Sequence, residues 1–186
     1  MVYARLRYKV EEPSSLYGAR DFTEADFYGM RPSCVGLYDF FSYLQESLDE
    51  LYMTELYHIG IRKDALKKEI SSAIINKKGL ITIKKLLSEK SSLRARAYKL
   101  QQLQNNNADE KKRTYLDALA CLGFRQTSVI REDDGTITEV FELQDDTSLL
   151  SRITARKEAF KNAIAKDKKA WQTKYNIPLT TEESEQ

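Results

Sequence analysis

Apolar residues recur at helical spacing over most of this chain and at strand spacing in two short stretches. After Pro32-Ser33, Leu37, Phe41, Leu44, Leu48 and Leu51 step by four, three, four and three. The stripe then slides to Tyr52, Leu56 and Ile59, with Asp39, Glu46, Asp49 and Glu50 on the other side. This predicts an amphipathic acidic helix, N-capped by Ser33 and ending near Gly60. The helical period resumes through Ile61, Leu66, Ile70 and Ile74, and Asn76-Lys77-Lys78-Gly79 reads as a stop. Next, Ile83, Leu86, Lys90, Leu93, Ala97 and Leu100 alternate steps of three and four, a coiled-coil-like seam broken only at Lys90. Such a seam needs a neighbour, in the same chain or another. A shorter helix is expected from Asp109-Glu110 through Tyr115, Leu116, Leu119 and Leu122, stopped by Gly123. In the last helix, capped at Thr147-Ser148, Leu149, Phe160 and Trp171 recur every eleven residues, as do Ile153, Ile164 and Tyr175. Pro178 ends it.

The two strand-like stretches read differently. Residues 127–132 and 137–143 are β-rich and flank Asp133-Asp134-Gly135-Thr136. Asp134-Gly135 suits a two-residue type I′ turn. The register with Asp133 opposite Thr136 places Ile130, Ile137, Phe141 and Leu143 on one apolar face. Residues 2–10 alternate loosely as a short strand. The rest of residues 1–33 scatters Tyr17, Phe22, Phe27 and Tyr28 among polar positions. That pattern predicts an extended aromatic arm, separable from the helices, that anchors on a core or a partner. The expected fold is therefore mainly α: long amphipathic helices in an antiparallel hairpin or bundle, one β-hairpin and an N-terminal arm. Its divisions are an arm at 1–33, a helical domain at 34–176 with the hairpin inserted at 127–143, and a disordered acidic tail at 177–186.

Charge changes this picture because it is sorted in blocks. Residues 61–115 hold fifteen Lys and Arg against five Asp and Glu, while the whole chain carries only +2. Residues 34–60 hold five acids and no Lys or Arg, and residues 116–150 hold eight acids and two bases. Blocks of one sign call for partners: opposite blocks of the same chain, another subunit or a polyanion. Lys77, Lys78, Lys84, Lys85, Arg94, Arg96 and Lys99 are the candidate nucleic-acid contacts, on a basic helical face at 77–99. The stretch 61–97 lacks aromatics, which weakens a single-strand stacking role. The order of elements from 61 to 143 superficially resembles a winged helix–turn–helix. Its recognition helix would be 109–122, whose second half is apolar and nearly uncharged, a poor reader of base edges.

The inventory for catalysis is thin. His58 is the only histidine, which removes most His-ligated metal sites and Ser–His or Cys–His nucleophile pairs. Cys34 and Cys121 form no metal spacing and read as reduced thiols, Cys121 as core packing. Asp134 and Gly135 brush against a calcium loop, but its first and last positions fall on Ile130 and Phe141. No catalytic residue, cofactor, metal or small-molecule substrate is expected. With no apolar run long enough to span a bilayer and no secretory leader, a reducing intracellular location, or a particle assembled there, is expected and no membrane partner. These features predict a non-enzymatic assembly subunit, as in a virion or phage-type particle, joined to itself or other proteins. Its interface would use Leu86, Leu93 and Leu100 of the seam and the arm's aromatics. The alternative is a nucleic-acid-binding protein using residues 77–99.

Overall fold

The fold was obtained as a computed structural model that describes residues 1–10 and 21–177, with backbone alone at 21–24. It is mostly helical. Four helices, α1 (Arg31–Ile75), α2 (Leu80–Asn105), α3 (Ala108–Cys121) and α4 (Leu149–Lys174), accompany four strands. The strands are β1 (Val2–Lys9), β2 (Asp21–Tyr28), β3 (Arg125–Arg131) and β4 (Thr136–Leu143). They form one antiparallel sheet in the order β2-β1-β4-β3. The chain divides into two compact units. Unit 1 comprises Met1–Leu48 and Asn106–Asn162, and unit 2 comprises Asp49–Asn105 and Ala163–Gln186.

In unit 1 the alternation at residues 2–10 proves to be a central strand. Val2, Ala4, Leu6 and Tyr8 of β1 are buried, and opposite them on β4 lie Leu143, Phe141, Glu139 and Ile137. Only the period-two burial of one face explains why a stretch with three basic residues sits mid-sheet. Arg5, Arg7 and Lys9 point to the other side. The expected arm therefore differs in its described parts, because β1 and β2 pair with each other and β1 also pairs with β4. Tyr17 lies outside the described residues. Phe22 pairs through its backbone with Tyr8.

The hairpin β3–β4 forms with a different turn. Arg131 pairs with Ile137 and Ile130 with Thr138. Glu132 N–H donates to Thr136 O at 2.9 Å and Gly135 N–H to Glu132 O at 3.1 Å. The loop is thus three residues, Asp133–Gly135, with Gly135 at φ +91°, the left-handed position such loops require. The single-residue slip moves Ile130 off the apolar face, as a period of two demands. Ile137, Phe141 and Leu143 are buried as expected, whereas β3 is exposed along its length.

An aromatic cluster joins this sheet to the helices. Phe27 lies 5.0 Å from Tyr38 and 4.9 Å from Phe41, and Phe41 lies edge-on to Tyr115 at 4.7 Å. The polar ends are satisfied: Tyr115 hydroxyl donates to Phe41 O, and Tyr38 hydroxyl accepts from Phe27 N–H. Gly36 lets α4 approach α1 closely, since a Cβ there would meet Leu150 Cδ2 at 2.8 Å. The eleven-residue stripe of α4 is realised, with Leu149, Ile153 and Tyr175 buried and Phe160, Ile164 and Trp171 half-buried.

The acidic helix does not end near Gly60. α1 is one helix of 45 residues, and helix propensity alone tolerates a lone glycine in so long a run. Ser33 lies in its first turn rather than ahead of it. Three helices end in the same motif, with the residue past the end in left-handed conformation: Lys77 (φ 53°), Gly123 (φ 96°) and Asn176 (φ 53°). In each, two successive N–H groups return to carbonyls of the last turn, for example Lys77 to Ile74 and Lys78 to Ala73. Gly123 is the expected stop. At α1 the expected stop Asn76–Gly79 is realised, with Lys77 in the left-handed position. Cys121 is exposed instead of buried in the core, while Cys34 packs partly against it and burial raises its thiol pKa.

Two outcomes test this account. Nothing lies within 4 Å of a Cβ built on Gly60, so Gly60→Ala should stabilise the protein by about 1 kcal/mol in urea unfolding. Deleting residues 1–31 removes β1 from mid-sheet. It should abolish the cooperative transition of unit 1, which hydrogen exchange at β4 amides would report.

Candidate interaction site at the turn between α1 and α2

Unit 2 is organised by heptads on α1. Tyr52, Ile59, Leu66 and Ala73 are buried at intervals of seven, and beside them run Glu55, Arg62 and Glu69 at the same interval. On α2 the buried residues are Leu93 and Leu100. The polar rows meet. Glu55 accepts two hydrogen bonds from Arg96, at 3.0 and 2.9 Å. Arg62 donates to Glu89 at 2.7 and 3.1 Å, and to Glu69 at 3.1 Å. Positions seven apart on α1 thus meet positions seven apart on α2 in reverse order, and each pairing is a bidentate fork.

Glu55 is almost wholly buried and also accepts from Tyr175 hydroxyl at 2.5 Å. Burial by itself works to raise its pKa. The hydrogen bonds from Arg96 and Tyr175, with the charge of Arg96, outweigh that and hold it below the ordinary carboxylate value. Conversely, the Glu55 hydrogen bond raises Arg96, the Glu89 hydrogen bond raises Arg62, and burial followed by Glu55 raises Tyr175. The lone histidine, His58, meets the edge of Trp171 at 6.2 Å within this same unit.

These contacts decide what each candidate residue can do. Leu93 and Leu100 are buried within unit 2 and Leu86 is half-buried, so this part of the seam is covered by the chain itself. Phe27 is buried in the unit 1 core. Tyr28 is exposed and takes a hydrogen bond from Arg5. Arg96 is committed to Glu55. Lys84, Lys85, Arg94 and Lys99 are exposed, on the half of α2 that faces away from Leu86, Leu93 and Leu100. Lys77 and Lys78 lie in the turn itself.

Of the turn's apolar content the periodicity singled out Ile74 alone, and as part of a helical stripe. Ile74, Ile75, Leu80 and Ile81 are 60%, 77%, 67% and 73% exposed. They flank four residues, Asn76–Gly79, that join the helices. Between Glu69 and Glu89 the sequence holds Lys77, Lys78, Lys84 and Lys85 and no acid. Both bounding glutamates are already bound by Arg62. The first turn of α2 likewise contains no acid against its positive helix end. Beside it lies a shallow cleft of about 560 Å³ lined by Lys67, Lys68, Ser71, Ser72, Ile75 and Asn76.

No family model, no curated protein and no solved structure matches this chain.

Unit 1 offers a second concavity, about 630 Å³, near Arg125, Glu142, Asp145 and Arg152. Two of these four charged groups are engaged in the loop's own structure. Arg152 donates to the carbonyls of Leu122 and Asp145, and Asp145 accepts from both N–H and hydroxyl of Thr147, which lowers its pKa. Asp134, set above against a calcium loop, accepts from Thr136 N–H at 3.0 Å and is lowered by that bond. Both are turn carboxylates. Among the described residues no helix is long and apolar enough to cross a membrane.

The Glu55 network yields a sharp test. Arg96→Leu leaves a buried carboxylate with only Tyr175 and should cost about 2 kcal/mol, below the usual value for a buried pair because Arg96 is itself half-exposed. Glu55→Leu with Arg96→Leu should recover most of that loss. Because the folded-state pKa of Glu55 is lowered, its contribution is complete above the ordinary value of about 4.3 and disappears as pH falls through the lower folded value. Glu55→Gln should flatten this acid limb in chemical denaturation.

Proposed function

We propose that the protein is a non-enzymatic assembly subunit that joins a larger complex through the turn end of a helical hairpin formed by α1 and α2. The observation that carries this reading is the pair of exposed aliphatic dipeptides, Ile74-Ile75 and Leu80-Ile81, on either side of one turn. Isolated exposed hydrophobics are ordinary, but four flanking one four-residue chain reversal concentrate apolar surface as interaction sites do. The reversed heptad pairing Glu55–Arg96 and Arg62–Glu89 supports the antiparallel hairpin. Buried ion pairs of this sort serve register better than stability. The charge division also favours assembly. Unit 1 holds 14 bases against 18 acids and unit 2 holds 16 against 10, so a basic surface of one molecule has acidic surfaces to meet in others.

A second reading has its own support. Lys77, Lys78, Lys84 and Lys85 have no ion pair among the described residues and could neutralise phosphates of a nucleic acid. Sedimentation of the native protein from its source, before and after nuclease, separates the two. The assembly reading expects a large particle that survives nuclease. It also expects that replacing Ile74, Ile75, Leu80 and Ile81 by Ser releases the protein from that particle without changing its helicity by circular dichroism. Release by nuclease alone favours the lysines as phosphate contacts. Retention of the serine variant in the particle removes this turn from the assembly reading.

A further inference from the structure

Resting on that reading of the turn, we propose that its partner is an anionic lipid surface, on which the turn docks by inserting aliphatic side chains between its lysines. From residue 70 to residue 88 the exposed chemistry consists of isoleucine, leucine, lysine and small polar residues. No aromatic residue and no arginine occurs between 63 and 93.

Each alternative partner calls for something this surface lacks. Protein hot spots are built on Trp, Tyr and Arg, and lysine is depleted from interface cores. Single-stranded nucleic acid needs rings or guanidinium planes for its bases to stack on. A duplex backbone would engage the lysines but leave Ile74, Ile75, Leu80 and Ile81 in water. A bilayer interface with anionic headgroups uses both halves of the surface. Aliphatic side chains enter the acyl boundary, and lysine stems lie along them with their ammonium groups at headgroup level. It also demands no shaped pocket, which suits a patch flanking a tight turn.

The charge is available for such a contact. The two nearest acids along the chain, Glu69 and Glu89, are held by Arg62. No acid side chain therefore stands in sequence beside Lys77, Lys78, Lys84 or Lys85, and the first N–H groups of α2 add positive potential at the same end. The backbone agrees. Lys77 holds the left-handed position that closes α1, where glycine carries no steric penalty. A lysine there keeps a charge at the turn. The absence of a bilayer-crossing helix among the described residues is compatible with docking at the surface, which requires none.

The test uses the full chain and vesicles of two kinds: phosphatidylcholine alone, and about three parts phosphatidylcholine to one part phosphatidylserine. Co-sedimentation should occur with the mixed vesicles and be weak with phosphatidylcholine. Each of Lys77→Gln, Lys78→Gln, Lys84→Gln and Lys85→Gln should weaken it about fivefold. Replacing Ile75 and Ile81 by Ser should weaken it about tenfold or more. Arg94→Gln and Lys99→Gln, on the same helix further from the turn, should leave it unchanged. In a Leu80→Trp variant, tryptophan emission should shift to the blue with mixed vesicles, which adsorption by charge alone would not produce. All these positions are exposed, so circular dichroism should be constant across the series. Lack of binding to mixed vesicles overturns the proposal, as does binding indifferent to the isoleucines. If the native particle still depends on Ile74, Ile75, Leu80 and Ile81 while vesicles are not bound, the partner is a protein. The assembly reading then stands without the lipid.

Discussion

Burial of the Glu55 carboxylate is the constraint from which unit 2 follows. A carboxylate taken out of water is costly unless every lone pair finds a donor. Glu55 is met by both arms of Arg96 and by Tyr175 hydroxyl. That requirement places three segments, the middle of α1, the middle of α2 and the residue after α4, around one side chain. One turn pair further along α1, Arg62 repeats the arrangement with Glu89 and Glu69. Sliding α2 along α1 by one heptad would leave charges buried without partners. Aliphatic seams alone, with Leu93 and Leu100 as their deepest members, would tolerate such a slip far better.

The same register explains why an apolar patch stays in solvent. Once the ion pairs fix which residues face each other, the last turn of α1 and the first of α2 have only Ala73 buried between them. Ile74, Ile75, Leu80 and Ile81 lie beyond the reach of the seam. Lys77 and Lys78 lie between the two aliphatic dipeptides, so the turn carries positive charge beside its exposed apolar side chains. The buried register and the proposed contact surface thus lie on different parts of one helical pair.

Unit 1 follows a different rule. Its sheet has one apolar face, and strand parity sets which side chains of the central strand β1 are buried. Val2, Ala4, Leu6 and Tyr8 go in, and Arg5, Arg7 and Lys9 go out. The three-residue loop at Asp133–Gly135 settles the parity of β3 and leaves Ile130 outside. Phe27, Tyr38, Phe41 and Tyr115 then lock the sheet to its helices through ring contacts and two hydrogen bonds to backbone.

Helical periodicity was legible because apolar side chains must share a face. The seam at Leu86, Leu93 and Leu100, the stripe of α4, the stop at Gly123 and the apolar side of β4 all carry that mark in the residues themselves. The chain alone also determined its charge blocks and its single histidine. Other features depend on neighbours distant in sequence. The N-terminal segment reads as an arm until β4 pairs with β1, because backbone hydrogen bonding leaves no signature in composition. Gly60 reads as an end because local propensity is weak against the burial that continues through Ile59 and Leu66. Arg96 reads as a free cation until Glu55 takes it, and the exposure of Ile75, Leu80 and Ile81 carries no mark until the pairing register leaves them uncovered. Periodicity is a property of each segment, so the sequence determined it; partner and exposure are properties of pairs of segments, so only the tertiary structure decided them.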